Sequence, residues 1–241
     1  PRQTHVCGLW EDVGYVVRET RGEATIYHHP EGLFPLIVCG EFERVQVNLR
    51  VESVVSFLSV HAAEAGHEPE IDGAPLAYGR RAKVDQNDKV EVWVQEGRGW
   101  KPPRELNEEL TAQAMFHQEA FLHRRRHFED SREGFQHASR FIQEAVDDLG
   151  ADWAAELFFA GERAYWASRN LAARVQYERQ NQLGLGWGNH DHHTYRSSRA
   201  HFASLIAVLE RLGFTCRERF YAGEEAGWGA QVLEHPGGVV I

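Results

Sequence analysis

Two consecutive prolines, Pro102 and Pro103, place the tightest constraint on how this chain folds. Each lacks a backbone donor and fixes φ, so neither a helix interior nor a central strand passes through them. They separate a strand-like stretch from a helical one. A third texture begins near residue 183. The expectation is an α+β chain in three parts: a β-rich part over 1–100, long helices over 104–182, and a β-α-β-β module over 183–241.

Before the prolines, residues 13–19 and 23–28 flank Thr20-Arg21-Gly22, a hairpin signal. Short apolar or alternating runs follow at 36–39 and 45–49. Val54, Val55, Leu58 and Ala62 recur at helical spacing, so 52–65 reads as a helix stopped by Gly66. Residues 70–71, 82–84 and 89–94 then read as strands, with turns at Asp72-Gly73 and at Asp85-Gln86-Asn87-Asp88. A helix laid across such strands resembles a small β-grasp module, which implies a binding or scaffold role for this part.

After the prolines, Leu106, Leu110, Ala114, Phe121 and Phe128 fit one long helix that breaks near Asp130-Ser131. Phe135, Phe141, Ile142 and Val146 give a second, ending at Gly150. Asp152 is placed to cap a third that runs to about Gln182. Trp153, Phe158, Phe159, Tyr165 and Trp166 read as core packing. Gly184, Gly186 and Gly188 form a flexible entry to a strand over 189–197. Ser197 or Ser198 can cap the next helix, on which Phe202, Leu205, Ile206, Leu209 and Leu212 share a face. Strands over 214–222 and 228–235 complete the module.

Charge narrows the partners. The chain of 241 residues has a formal net charge of −10. Residues 1–100 carry 10 basic and 16 acidic side chains, and the remainder 16 and 20. Neither portion offers the concentrated positive face that nucleic acid requires. The one basic run, His123-Arg124-Arg125-Arg126-His127, reads as a solvated helix face. The three cysteines, Cys7, Cys39 and Cys216, are odd in number and lack a CxxC spacing; each reads as a small buried residue. No run of about 18 apolar residues occurs, and no basic-then-apolar leader opens the chain. The expectation is a soluble cytoplasmic protein. The final stretch, Gly237-Gly238-Val239-Val240-Ile241, reads as the start of a strand and therefore as a module cut short.

The stretch Asn189-His190-Asp191-His192-His193-Thr194-Tyr195-Arg196 holds the densest chemistry. In a strand, alternate side chains share a face. His190, His192, Thr194 and Arg196 then point one way, and Asp191, His193, Tyr195 and Ser197 the other. Two imidazoles two residues apart can reach one metal, and a guanidinium beside them can grip a carboxylate with both arms of its fork. Asp191 is placed to hold His193. Glu234, at the end of the last strand, can come beside His192 if that strand lies next to the first. Two His and a carboxylate with open positions suit Fe(II) or another divalent ion. The bland reading stays open: the chain has 14 His, and paired His occur in strands without metal. His28-His29-Pro30 reads as a loop.

The β-α-β-β order resembles one module of the vicinal oxygen chelate superfamily. More closely, Asp191-His192-His193-Thr194-Tyr195-Arg196, followed by Leu209-Glu210-Arg211-Leu212-Gly213-Phe214-Thr215-Cys216-Arg217-Glu218, is similar to the first module of the 2-oxoadipate dioxygenase/decarboxylase (hydroxyglutarate synthase) family. The resemblance covers 189–235. It implies a non-haem Fe(II) dioxygenase acting on a small 2-oxo acid, with His192 as a metal ligand and Arg196 on the substrate carboxylate. That family draws its other ligands from a later module, whereas Glu234 fits the ligand position of other vicinal oxygen chelate modules. His190 is a further candidate ligand, and a homodimer could complete the set. Two other readings remain: a non-catalytic binding or scaffold protein, and a metal-dependent isomerase, lyase or hydrolase on the same module.

Overall fold

The structure, a computed structural model, describes residues 8–32, 34–40, 44–61, 69–97, 104–188 and 192–235. Cys7, Gly66, the prolines at 102 and 103, residues 189–191 and residues 236–241 lie outside the described residues. The fold is mixed α+β, as expected. The chain divides into two units, residues 1–105 with 175–189, and residues 106–174 with 190–241.

The first unit is built on a sheet of seven strands. These are β1 (Val16–Arg21), β2 (Ala24–His28), β3 (Leu36–Cys39), β4 (Val45–Arg50), β5 (Ile71–Asp72), β6 (Arg81–Gln86) and β7 (Val90–Gln95), in the order β1-β2-β3-β4-β7-β6-β5. Neighbours are antiparallel except β4 and β7, which run parallel with Val47 opposite Val92. A parallel pair needs a crossover, and helix α1 (Val54–His61) lies within the chain that supplies it. Val54 and Phe57 of α1 pack with Val51, Ala82 and Val94 as a buried cluster. This is the helix across a sheet that the β-grasp comparison expected. Here, however, the strand that feeds the helix is also the one paired in parallel, and β1 and β2 widen the sheet.

Strand alternation explains the two faces. Tyr27, Ile37, Cys39 and Val45 make one buried apolar cluster, backed by Val47. The facing set on β4 is polar: Gln46, Asn48 and Arg50. The same polar side carries Arg81, whose guanidinium lies 4.7 Å from the Trp93 ring, and Lys83, 3.6 Å from Glu91.

The three glycines read as a flexible entry instead close this unit. Leu185 packs on the Val51, Val54 and Phe57 cluster. Its carbonyl accepts from Glu52 N at 3.1 Å, and the Glu52 carboxylate accepts from Trp187 N at 3.1 Å. Residues Gly186–Gly188 form a 3-10 turn. A Cβ on Gly188 would sit 2.4 Å from the Val51 backbone, so no larger residue fits without displacing it.

The second unit packs helices α2 (Glu108–His123), α3 (Ser131–Leu149) and α4 (Ala151–Ala167) on one another, with α6 (Phe202–Arg211) against α3. Helix α5 (Leu171–Gln182) follows α4 in the chain. The unit's buried side chains include Phe121, Ile142, Trp153, Phe158, Phe159, Leu209, Leu212 and Leu233. Trp153, Phe158 and Phe159 are core, as expected; Trp166 is half exposed. A Cβ at Gly161 would lie 2.9 Å from Phe121 O, so α2 and α4 approach closely there.

Three helix boundaries differ from expectation. Helix α2 stops at His123, not near Asp130-Ser131, and the Arg126 guanidinium folds back onto the open carbonyls of Phe121 and Leu122. The third expected helix is two, α4 and α5. Asn170 accepts from Ala172 N and Ala173 N and so starts a new helix inside the apolar stripe. Gly150, at φ 84°, holds the N-cap position of α4. Asp152 lies one step further on, 3.5 Å from the buried His235 Nε2.

Strands β8 (Thr215–Tyr221) and β9 (Gly229–Glu234) form an antiparallel pair with a bulge at Arg217. The expected strand before α6 joins no ladder among the described residues: His192 carries an isolated bridge and residues 193–198 carry none. Two strands of the C-terminal module thus pair among the described residues. Cys39 is buried as expected, whereas Cys216 is exposed on β8.

Candidate functional site

The candidate segment, residues 192–198, is shaped by helix α4. Phe159 and Glu162, three residues apart, share a face of that helix. The His193 ring lies 4.6 Å from the Phe159 ring, and the Tyr195 hydroxyl donates to Glu162 Oε2 at 3.4 Å. The His193 and Tyr195 rings are stacked, 6.2 Å apart and 7° from parallel. His192, Thr194 and Arg196 are exposed, and His193 and Tyr195 half-buried. Exposure thus alternates over residues 192–196, with the two half-buried rings docked on α4. Asp191, expected to hold His193, lies outside the described residues.

Beneath the segment lies a charge cluster that the sequence reading passed over. Glu162 is 2% exposed. Its Oε1 accepts from Arg124 Nη2 at 2.7 Å and from Arg126 Nη2 at 3.0 Å. Burial favours the protonated acid, but the two guanidiniums and their hydrogen bonds outweigh it and hold the carboxyl below its usual range. Arg126 also donates to Gly161 O at 3.3 Å and stacks over the Tyr165 ring at 4.1 Å. Arg124 stacks over Phe158 at 5.4 Å. The basic run expected as a solvated face is thus divided. His123, Arg125 and His127 are exposed, while Arg124 and Arg126 turn inward. Exposure alternates along the run beyond α2. A glutamate among the apolar residues of α4 was the available signal: a buried carboxylate needs a cation.

The four candidate site residues are placed as follows. His192 and Arg196 are both exposed on the segment 192–198. Arg196 forms no ion pair or side-chain hydrogen bond among the described residues. Glu234 is half-buried on β9 and ion-paired with the bulged Arg217, which also grips Glu218 at 2.6 Å. His190 lies outside the described residues. Among the described residues, no group of three His, Cys, Asp or Glu side chains comes together as a metal would require. Glu234 fits as a ligand only after it leaves Arg217.

His28 and His29 fall at the end of β2 and in the loop beyond it, where the His29 ring packs edge-on against Tyr15 at 5.4 Å and Phe34 at 4.9 Å. No described helix is long and apolar enough to cross a membrane. Comparison with protein-family profiles, curated proteins and solved structures finds no match to this chain in any of the three.

Proposed function

We propose that the second unit is a metal-dependent, oxygenase-like site for a small 2-oxo acid. One observation carries the reading: one short segment leaves His192 and Arg196 exposed, while His193 and Tyr195 between them dock on α4. In an extended chain, residues i and i+4 on one side are about 13 Å apart. That separation lets an imidazole-held ion and a guanidinium address two parts of one ligand, with both side chains reaching inward to it. Arg196 grips the substrate carboxylate through a two-armed hydrogen bond. His192 holds the divalent ion, Fe(II) on this reading, with His190 and Glu234 as the further candidates. The ion supplies Lewis acidity and a place for O₂. Thr194, between the two, offers a hydroxyl on the same side.

Metal analysis of anaerobically purified protein, wild type beside His192→Ala, tests the assignment. About one equivalent of iron in the wild type and none in the variant is the expected result. Retention of wild-type occupancy by the variant would sink the ligand assignment. Arg196→Ala should keep the metal and raise the KM for a 2-oxo acid by about tenfold or more. If another metal is lost on substitution and activity survives removal of O₂, the site is that of an isomerase, lyase or hydrolase. If neither protein holds metal, the pairing of Glu234 with Arg217 becomes the favoured observation, and the unit is a binding module.

A further inference from the structure

We infer that β8 is a dimerisation edge: its outer side pairs antiparallel with β8 of a second copy of this chain, around a two-fold axis at Phe220. The pairing needs no metal and stands apart from the reading above.

Every residue of β8 (Thr215–Tyr221) is exposed. One edge of the strand pairs with β9, and among the described residues no strand lies against the other. The ladder shows which backbone groups that leaves. Ala222 N donates to Trp228 O at 3.1 Å, and bonded and non-bonded pairs alternate along an antiparallel ladder. With Phe220 opposite Ala230 and Arg219 opposite Gln231, Glu218 and Phe220 turn their N–H and C=O to β9. Arg219 and Tyr221 turn theirs to the open edge, where they take no partner among the described residues. Such an edge is a template for another strand.

Charge selects both the partner and the register. A two-fold pairing sets outward residues opposite outward residues, so its axis passes through a residue. An axis on Glu218 or on Arg219 sets that charge against its own copy, and like charges directly opposite are destabilising. An axis on Tyr221 runs the pairing into the turn that Gly227 N closes on Gly223 O. An axis on Phe220 avoids all three. Arg219 N–H then donates to the copy's Tyr221 carbonyl, the copy's Tyr221 N–H donates to the Arg219 carbonyl, and the symmetry repeats both. The guanidinium and the phenol ring of these partners share a face, a favourable pair. The two Phe220 rings meet across the axis in a closely spaced pair.

The aromatic side chains at this end have surface to bury. Phe220 is 49% exposed, Tyr221 68% and, across the turn, Trp228 58%. Strand β9 is half-buried or buried from Ala230 to Glu234. Only one edge of the hairpin is open on both faces, so pairing closes at two copies. The bulge at Arg217 ends the regular edge and keeps the interface short. A contact of that size dissociates at about 1–100 μM.

Sedimentation equilibrium of the full chain over about 1 to 300 μM tests this, with melting temperature as the check on folding. The wild type should pass from monomer to dimer. Arg219→Pro removes an N–H that faces the open edge and leaves the bonds to β9 in place. It should weaken the dimer at least about tenfold, because the symmetry removes the bond twice. Phe220→Lys sets two like charges across the axis and should do the same without touching the backbone. Phe116→Lys, on α2 at a side chain 61% exposed, should leave the dimer intact. Should Arg219→Pro fail to fold, Phe220→Lys beside Phe116→Lys decides. A wild type that stays monomeric throughout overturns the proposal. So does a dimer that survives Phe220→Lys, or one that Phe116→Lys weakens equally.

Discussion

At Gly188 a single hydrogen atom in place of a side chain decides whether two segments distant in sequence can meet. A methyl there would fall 2.4 Å from Val51 Cα. Gly188→Ala should therefore destabilise the first unit by about 1–3 kcal/mol or more, read as a lower urea midpoint with an unchanged slope. A glycine chosen only for flexibility would accept alanine with little change. The same scale shows where reading by sequence failed. Three glycines at alternate positions suggested a loose entry, because nothing local distinguishes freedom from close approach. Arg124 and Arg126 looked solvated because a charge run is solvated unless a buried counter-charge waits elsewhere, and Glu162 lies 36 residues from Arg126. His192, Thr194 and Arg196 are exposed and His193 and Tyr195 half-buried, an alternation that two-residue periodicity makes legible.

Among the elements, periodicity identified what was periodic. The strands over 36–39 and 45–49, the helix ending at Gly150 and the helix beginning at Phe202 were legible because a two- or 3.6-residue pattern is a local property. Pairing was not legible. The parallel match of β4 with β7 joins strands whose first residues, Val45 and Val90, are widely separated in the chain. The break between α4 and α5 was missed although its signal is present: Asn170 inside an apolar stripe is a capping residue. Asn170→Ala should lower the stability of α5 by about 1 kcal/mol. Protection of the amides of Ala172 and Ala173 should fall first, while α4 keeps its own.

For the whole molecule, acid is the informative variable. Burial lowers the affinity of His28 for a proton, helped by Arg18 and then His29. Burial does the same for His137, followed by Arg140, Arg124 and Arg125. One lies in each unit. A histidine whose folded value is depressed leaves the unfolded chain to bind the proton first. Its contribution to stability is complete above about pH 6.5 and is lost as pH falls through the lower folded value. The melting temperature should therefore decline as pH falls below about 6.5. His137→Phe, with the ring still between Phe128 and Phe141, should make that decline shallower. A slope unchanged by the substitution would reject His137 as one of its sources.

The return of residues 183–188 to the β-rich unit also bears on how the chain is made. Synthesis proceeds from the N-terminus, and a unit can close only when its last part has left the ribosome. Here the cover for Val51, Val54 and Phe57 includes Leu185, so the first unit waits for the whole helical stretch after the prolines to emerge. Severing the gene at the prolines would release a nascent sheet with its core open on that side, a species prone to hold chaperones or to aggregate. Expression of the first hundred residues alone should thus fail where a version with residues 175–188 grafted back through a flexible linker succeeds.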